Sequence, residues 1–106
     1  MTPDWLVPYL RNHRASILRP WAKADTMYYV YLLRSESHPN ETYIGLTHNL
    51  RGRLADHNSG KSTHTKKFIP WRLISYVAFT ERAQAERFEK YLKSGSGRAF
   101  TKSHLW

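Results

Sequence analysis

The chain has 106 residues, with 17 Lys and Arg against 8 Asp and Glu, six His and no Cys. That length fits one domain with one core and excludes a separate substrate domain, and a hydrophobic share of 41% excludes wholesale disorder. The absence of Cys excludes a disulfide scaffold, a thiolate zinc site and a cysteine nucleophile. No apolar run nears the roughly 20 residues that cross a bilayer. The opening MTPDWLVPYLRNHR lacks the basic-then-apolar order of a secretory signal, so a cytoplasmic protein is expected. The net charge of +9 points to an anionic partner. Nucleic acid is favoured over a membrane surface, because each phosphate neutralised by Lys or Arg releases a counterion.

Residues 1–26 differ from the rest. Tyr9, His13 and Ile17 recur at helical spacing beside Leu10, which predicts a short amphipathic helix in an N-terminal extension. Arg19-Pro20 ends it, since a residue before proline disfavours the helical region. A more regular pattern opens at Met27, so 27–106 is expected to form the folded domain.

YYVYLLR, residues 28–34, is aromatic and β-branched without a breaker and predicts a strand. TYIGLT, residues 42–47, predicts its antiparallel partner across a short turn. Gly45 inside that strand marks a bulge or a close backbone approach. A helix follows over Asn49–His57, capped by Thr47 or Asn49 and closed by NSG. Residues 60–70 read as a basic loop and WRLISYVAF, residues 71–79, as a third strand. Thr80 is expected to cap a second helix, with Ala85, Phe88 and Leu92 as its buried stripe and Gly95 and Gly97 as its end. The tail RAFTKSHLW is basic and aromatic. The order ββαβα predicts an α+β fold, a small three-stranded antiparallel sheet flanked by helices.

Three features carry chemistry. Glu89 shares the edge of the second helix's apolar face, where a carboxylate needs a cation, a metal or a hydrogen bond. Leu50, Arg53, Leu54 and His57 follow i, i+3, i+4, i+7, so a cation and an imidazole flank the first helix's apolar stripe. Tyr29 and Tyr31 share one face of the first strand, and Tyr43 leads the second. Each alone has a plain structural reading as an ion pair, a bonded core histidine or a core tyrosine.

In order and spacing these residues resemble the GIY-YIG nucleases. Tyr29-Val30-Tyr31 stands where that family has its first signature, and Tyr43-Ile44-Gly45 reproduces the second literally. Arg53 and His57 follow Tyr43 by ten and fourteen residues. Glu89, in AERFEKYLK, occupies the place of the metal-binding glutamate. The resemblance spans residues 28–100 and is to the small stand-alone bacterial branch, which tolerates Tyr29 for the first glycine. It implies a divalent-metal-dependent DNA endonuclease. Tyr31 would be the general base and Tyr43 a second positioning hydroxyl, the two roles being open to exchange. Arg53 would hold the scissile phosphate, His57 would orient a tyrosine or relay a proton, and Glu89 would bind one Mg²⁺ or Mn²⁺.

The carboxylate inventory agrees with a single ion. Residues 27–106 carry only Glu36, Glu41, Asp56, Glu81, Glu86 and Glu89, none inside a predicted strand, whereas two-metal sites cluster several. Gly60-Lys61-Ser62 imitates a phosphate-binding loop, but Ala55 replaces the required glycine and a helix precedes it. Lys61, Lys66, Lys67, Lys93, Arg98 and Lys102 are the candidate nucleic-acid contacts, with Phe68, Trp71 and Phe100 as candidate stacking residues. The expected partner is single-stranded or structured DNA, bound by a monomer. The competing class is a non-catalytic nucleic-acid-binding module on the same fold.

Overall fold

Tyr28–Ser35 forms β1, the middle strand of a three-stranded sheet in which β2 (Thr42–Thr47) and β3 (Trp71–Phe79) pair antiparallel on either side. The computed structural model describes residues 26–106, so the predicted N-terminal helix lies outside the described residues. Val30 to Leu33 are fully buried, as a strand covered on both faces requires.

The period of two in β1 builds two cores. Tyr28, Val30 and Leu32 face α2 (Arg82–Leu92) and α3 (Gly95–His104), packing with Ala85, Phe88, Leu92 and Phe100. Tyr31 and Leu33 face the other way, toward Leu50 and Leu54 of α1 (Leu50–Ser59) and toward Trp71 and Phe68. The sheet thus separates α1 from the α2–α3 pair. A one-residue register shift lies between Leu32 and Leu33 against β3.

Helix α1 starts where Asn49 Oδ1 accepts from the Gly52 N–H at 3.1 Å and ends at Gly60 in the left-handed region, φ 83°. Its last turn is tied to β3, since Asn58 clasps both backbone groups of Trp71. The basic loop is more ordered than its composition suggests. It contains a 3₁₀ turn, Lys66–Phe68, held to β1 by Ser35 Oγ donating to the Phe68 carbonyl at 2.6 Å.

The C-terminal part departs from the sequence reading. Thr80 does not cap α2. Glu81 holds the cap position, without a side-chain cap bond. Gly95 and Gly97 open a third helix instead of closing the second, and the tail is helical to His104. Ser94 makes this possible by accepting from the Gly97 N–H at 3.2 Å. A Cβ on Gly97 would collide with the Tyr91 carbonyl and Leu92 Cα, so glycine is required for the tight elbow between α2 and α3. The observed order is ββαβαα.

Candidate active site

Four of the expected residues converge on the α1 face of the sheet. Tyr31 projects from the middle of β1, and its hydroxyl is hydrogen-bonded to His57 Nε2 at 2.9 Å. Arg53, one turn before His57 on α1, donates from Nε to the same hydroxyl at 3.4 Å. Tyr43 reaches in from β2, its ring edge-on to His57 at 4.8 Å between centroids and 6.1 Å from Tyr31. The helical spacing of Arg53 and His57 is what aims both at one tyrosine.

His57 is completely buried, and its other ring nitrogen is used. Nδ1 lies 2.8 Å from Thr65 Oγ1. Thr65 is itself buried, and its carbonyl accepts from the Trp71 indole N–H at 2.8 Å. A continuous hydrogen-bonded chain therefore runs Tyr31–His57–Thr65 into the protein. Sequence reasoning missed Thr65. The available signal was a small hydroxyl residue next to Lys66-Lys67 in the loop after a helix-terminal histidine, which has no period to reveal it.

Gly45 explains its own place. It pairs directly with Tyr31 across β1 and β2, and a Cβ there would overlap the Tyr31 Oη and Cζ atoms. The tyrosine ring lies over the glycine because no side chain stands in the way. Tyr29, at the position of the family's first glycine, packs edge-on against Tyr76 at 5.6 Å and lines a separate cleft with Leu50 and Leu73.

The electrostatics follow from this packing. Burial pushes the Tyr31 hydroxyl up to about 12, with Arg53 opposing the rise and Tyr43 adding to it. Arg53 is raised, chiefly by its bond to Tyr31. His57 is lowered, first by burial and then by the Arg53 charge, against a smaller pull from Asp56. Near neutral pH the pair is a protonated tyrosine beside a neutral imidazole.

Glu89 is not part of this hydrogen-bonded group. It sits on α2, on the other side of the sheet, with its side chain 23% exposed and Lys93 Nζ at 3.4 Å. The predicted solvated carboxylates are so placed: Glu81 and Glu86 are exposed, and Glu86 pairs with Arg82 at 2.9 Å. The candidate nucleic-acid contacts divide in two. Lys61, Lys66 and Lys67 follow α1, with Lys61 paired to Asp56 at 3.6 Å. Lys93, Arg98 and Lys102 lie with α2 and α3 across the sheet. The candidate stacking residues divide likewise. Trp71 is buried with its N–H bonded, which removes it as a base platform, and Phe100 packs against the α2 core.

The family model for the GIY-YIG catalytic domain matches residues 27–102. The chain belongs to the GIY-YIG family. Among its relatives, a UPF0213 protein of Nitratidesulfovibrio vulgaris is 35% identical over 70% of this chain and 66% of its own length. The structure-specific endonuclease subunit SLX1 of Debaryomyces hansenii is 40% identical over 74% of this chain, but that match spans only 25% of the relative. A solution NMR structure of a UPF0213 protein from Bacillus halodurans is 30% identical, covering 73% of this chain and 83% of that one, with a TM-score of 0.45. The small bacterial GIY-YIG relatives thus align over most of their length, whereas SLX1 is a far larger protein that contains a similar segment. No helix among the described residues is long and apolar enough to cross a membrane.

Proposed function

We propose that this GIY-YIG protein is a divalent-metal-dependent endonuclease that hydrolyses phosphodiester bonds in DNA. The observation that carries the reading is the buried Tyr31–His57–Thr65 chain with Arg53 on the tyrosine hydroxyl. Tyrosine is a poor base in its neutral form, and at about 12 this one holds its proton at neutral pH. The neutral imidazole behind it supplies the missing acceptor. With Nδ1–H donating to Thr65, Nε2 is free to take the Tyr31 proton as Tyr31 takes one from water. The water oxygen bonds to phosphorus while the bond to the leaving oxygen breaks, and that oxygen draws its proton from solvent. Arg53 has five donors in a planar fork and spends one on Tyr31, so the rest serve the phosphate and its growing charge. Tyr43, at the rim, positions the water or a phosphate oxygen.

Glu89 would hold one Mg²⁺ or Mn²⁺, releasing Lys93. Glu89 would be a single, partly exposed carboxylate ligand, and with no group of three or more His, Cys, Asp or Glu among the described residues, water and substrate phosphate would have to complete the ion's shell. Magnesium keeps several waters and takes one or two carboxylates plus substrate phosphate. The chemistry supplied there is polarisation of a phosphate oxygen and relief of the leaving oxygen's charge.

The SLX1 relatives are structure-specific endonuclease subunits, which makes branched or single-stranded DNA the first substrates to offer. The test is a panel of plasmid, single-stranded and branched DNA, incubated with Mg²⁺, Mn²⁺ or EDTA. Wild type should cut at least one substrate in either metal and none in EDTA. Glu89→Ala should bind DNA without cutting, and Glu86→Ala should cut normally. Retention of a tenth of wild-type cutting by Glu89→Ala in saturating Mg²⁺ would refute the metal assignment.

A further inference from the structure

On the α2–α3 side of the sheet lies an open groove of about 570 Å³ that meets the proposed site only at Tyr43 and at Lys93, the partner of Glu89. Thr42 and Tyr43 form one wall, on the edge strand β2. Lys93, Arg98 and Lys102 form the other, and Trp106 lines it as well. We propose that this groove binds one or two nucleotides of a single-stranded segment flanking the cleavage point, so that the strand passes around the edge of β2. The proposal rests on the nucleic-acid reading above and gives that reading a path.

Two of the three wall cations lack internal compensation. Among the described residues Lys93 is paired with Glu89, and neither Arg98 nor Lys102 has an ion-pair partner. Arg98 and Lys102 stand one turn apart on the exposed side of α3, an arrangement that destabilises a helix by like-charge repulsion until an anion lies between them. Phosphates along a strand are such anions. The fourth cation is indirect. Arg34, on the middle strand, lies over the Trp106 ring at 5.3 Å from its centroid, and its buried Nε has no hydrogen-bond partner. Trp106 is half-buried against the same core as Phe100 and has Arg34 over its ring, so the part of the indole that lines the groove is what a base would meet, the pairing of charge and aromatic surface that single-strand binders use.

Size and continuity select the ligand. The groove's volume falls within the roughly 300–1,000 Å³ that hold small molecules, room for a nucleotide or two. Stacking on Trp106 also requires an unpaired base. Tyr43 belongs to both places, since it lines the groove while its ring meets His57 at 4.8 Å. Among the described residues β2 is the edge of the sheet, and no further strand separates the groove from the tyrosines. A strand whose phosphate sits at Arg53 therefore has a basic channel on one side, toward Lys93, and the Lys66–Lys67 turn near His57 on the other.

The experiment measures binding in EDTA, so it reads the groove even if wild type proves to cut nothing. Fluorescent oligo-dT and a blunt duplex are titrated against the full chain over a range of salt. Arg98→Ala/Lys102→Ala should flatten the log–log salt dependence for oligo-dT by about 1.4, two single-strand phosphate contacts. Its duplex affinity should change less. Trp106→Ala should weaken oligo-dT about tenfold and Trp106→Phe should restore most of it, which separates stacking from a packing defect. Arg72→Ala/Arg87→Ala removes the same charge outside the groove and should leave the oligo-dT slope near wild type. An unchanged slope in the groove variant, an equal effect of the outside variant, or an equal loss for duplex would each overturn the proposal.

Discussion

At Tyr31 burial and charge pull in opposite directions. Burial wins and holds the hydroxyl at about 12, while the same burial and the nearby Arg53 keep His57 below its ordinary 6.5. The proposed base is therefore the pair, and its acid limb belongs to the imidazole. Cleavage should rise with pH as His57 loses its proton, with an apparent midpoint below 6.5, and reach a plateau around neutrality in a pH–rate profile. The sign for stability is the same. Unfolded His57 binds a proton near 6.5 that the folded protein refuses, so its contribution is present above 6.5 and is lost as pH falls toward the lowered value. Urea midpoints at pH 7.5 and 5.5 measure this. Thr65→Val keeps the shape but removes the hydroxyl from Nδ1, freeing the ring to take the wrong tautomer. Cleavage should fall tenfold or more and the acid limb should move, with Thr65→Ser restoring both. Arg53→Lys should lose at least tenfold although charge is kept, because a point charge cannot reproduce a planar fork. Tyr31, Arg53 and His57 could be placed from sequence because strand and helix periods aim side chains. Thr65 could not, since its position depends on a loop folding back under Trp71.

Helix α3 shows how a local signal misleads. Two glycines within three residues look like a stop, and in isolation they are. Here Ser94 caps the new helix, and Thr101 and Leu105, four and eight residues after Gly97, bury the face that Gly97 begins. Packing outweighs propensity because the glycine lets α3 close on α2. Gly97→Ala should destabilise by at least 1–3 kcal/mol, the scale for overpacking, because the obstacle is backbone. Ser94→Ala should cost about 1 kcal/mol, the usual worth of a cap. Urea denaturation checks both. The three strands and α1 were legible nearly to the residue, since aromatic, β-branched and capping signals agreed with tertiary contacts there. Glu89 was placed correctly on the half-buried edge of its helix, and Lys93, which answers it, stands at the i, i+4 spacing that pairs Glu with Lys on a helix.

The sheet gives the molecule two basic sides with Tyr43 between them. Lys61, Lys66 and Lys67 lie on the α1 side and Lys93, Arg98 and Lys102 on the other, although in sequence they read as one set of nucleic-acid contacts. The net charge of +9 announced an anionic partner, but no periodic pattern assigns loop lysines to a face. DNA affinity should fall steeply with salt, and Lys66→Ala/Lys67→Ala should flatten the slope by about one to two phosphate contacts, measured by salt titration of binding. The double variant should weaken unrelated sequences equally, since phosphate contacts carry no base information. The central claim is that a tyrosine hydroxyl backed by a buried neutral imidazole activates water for phosphodiester cleavage. Tyr31→Phe tests it most directly, because it removes one oxygen from a buried ring and leaves the Arg53 charge in place. Single-turnover cleavage in saturating Mg²⁺ should fall by about 10²–10⁴ with DNA binding retained, the range for loss of a general base. Cleavage within threefold of wild type would contradict the account.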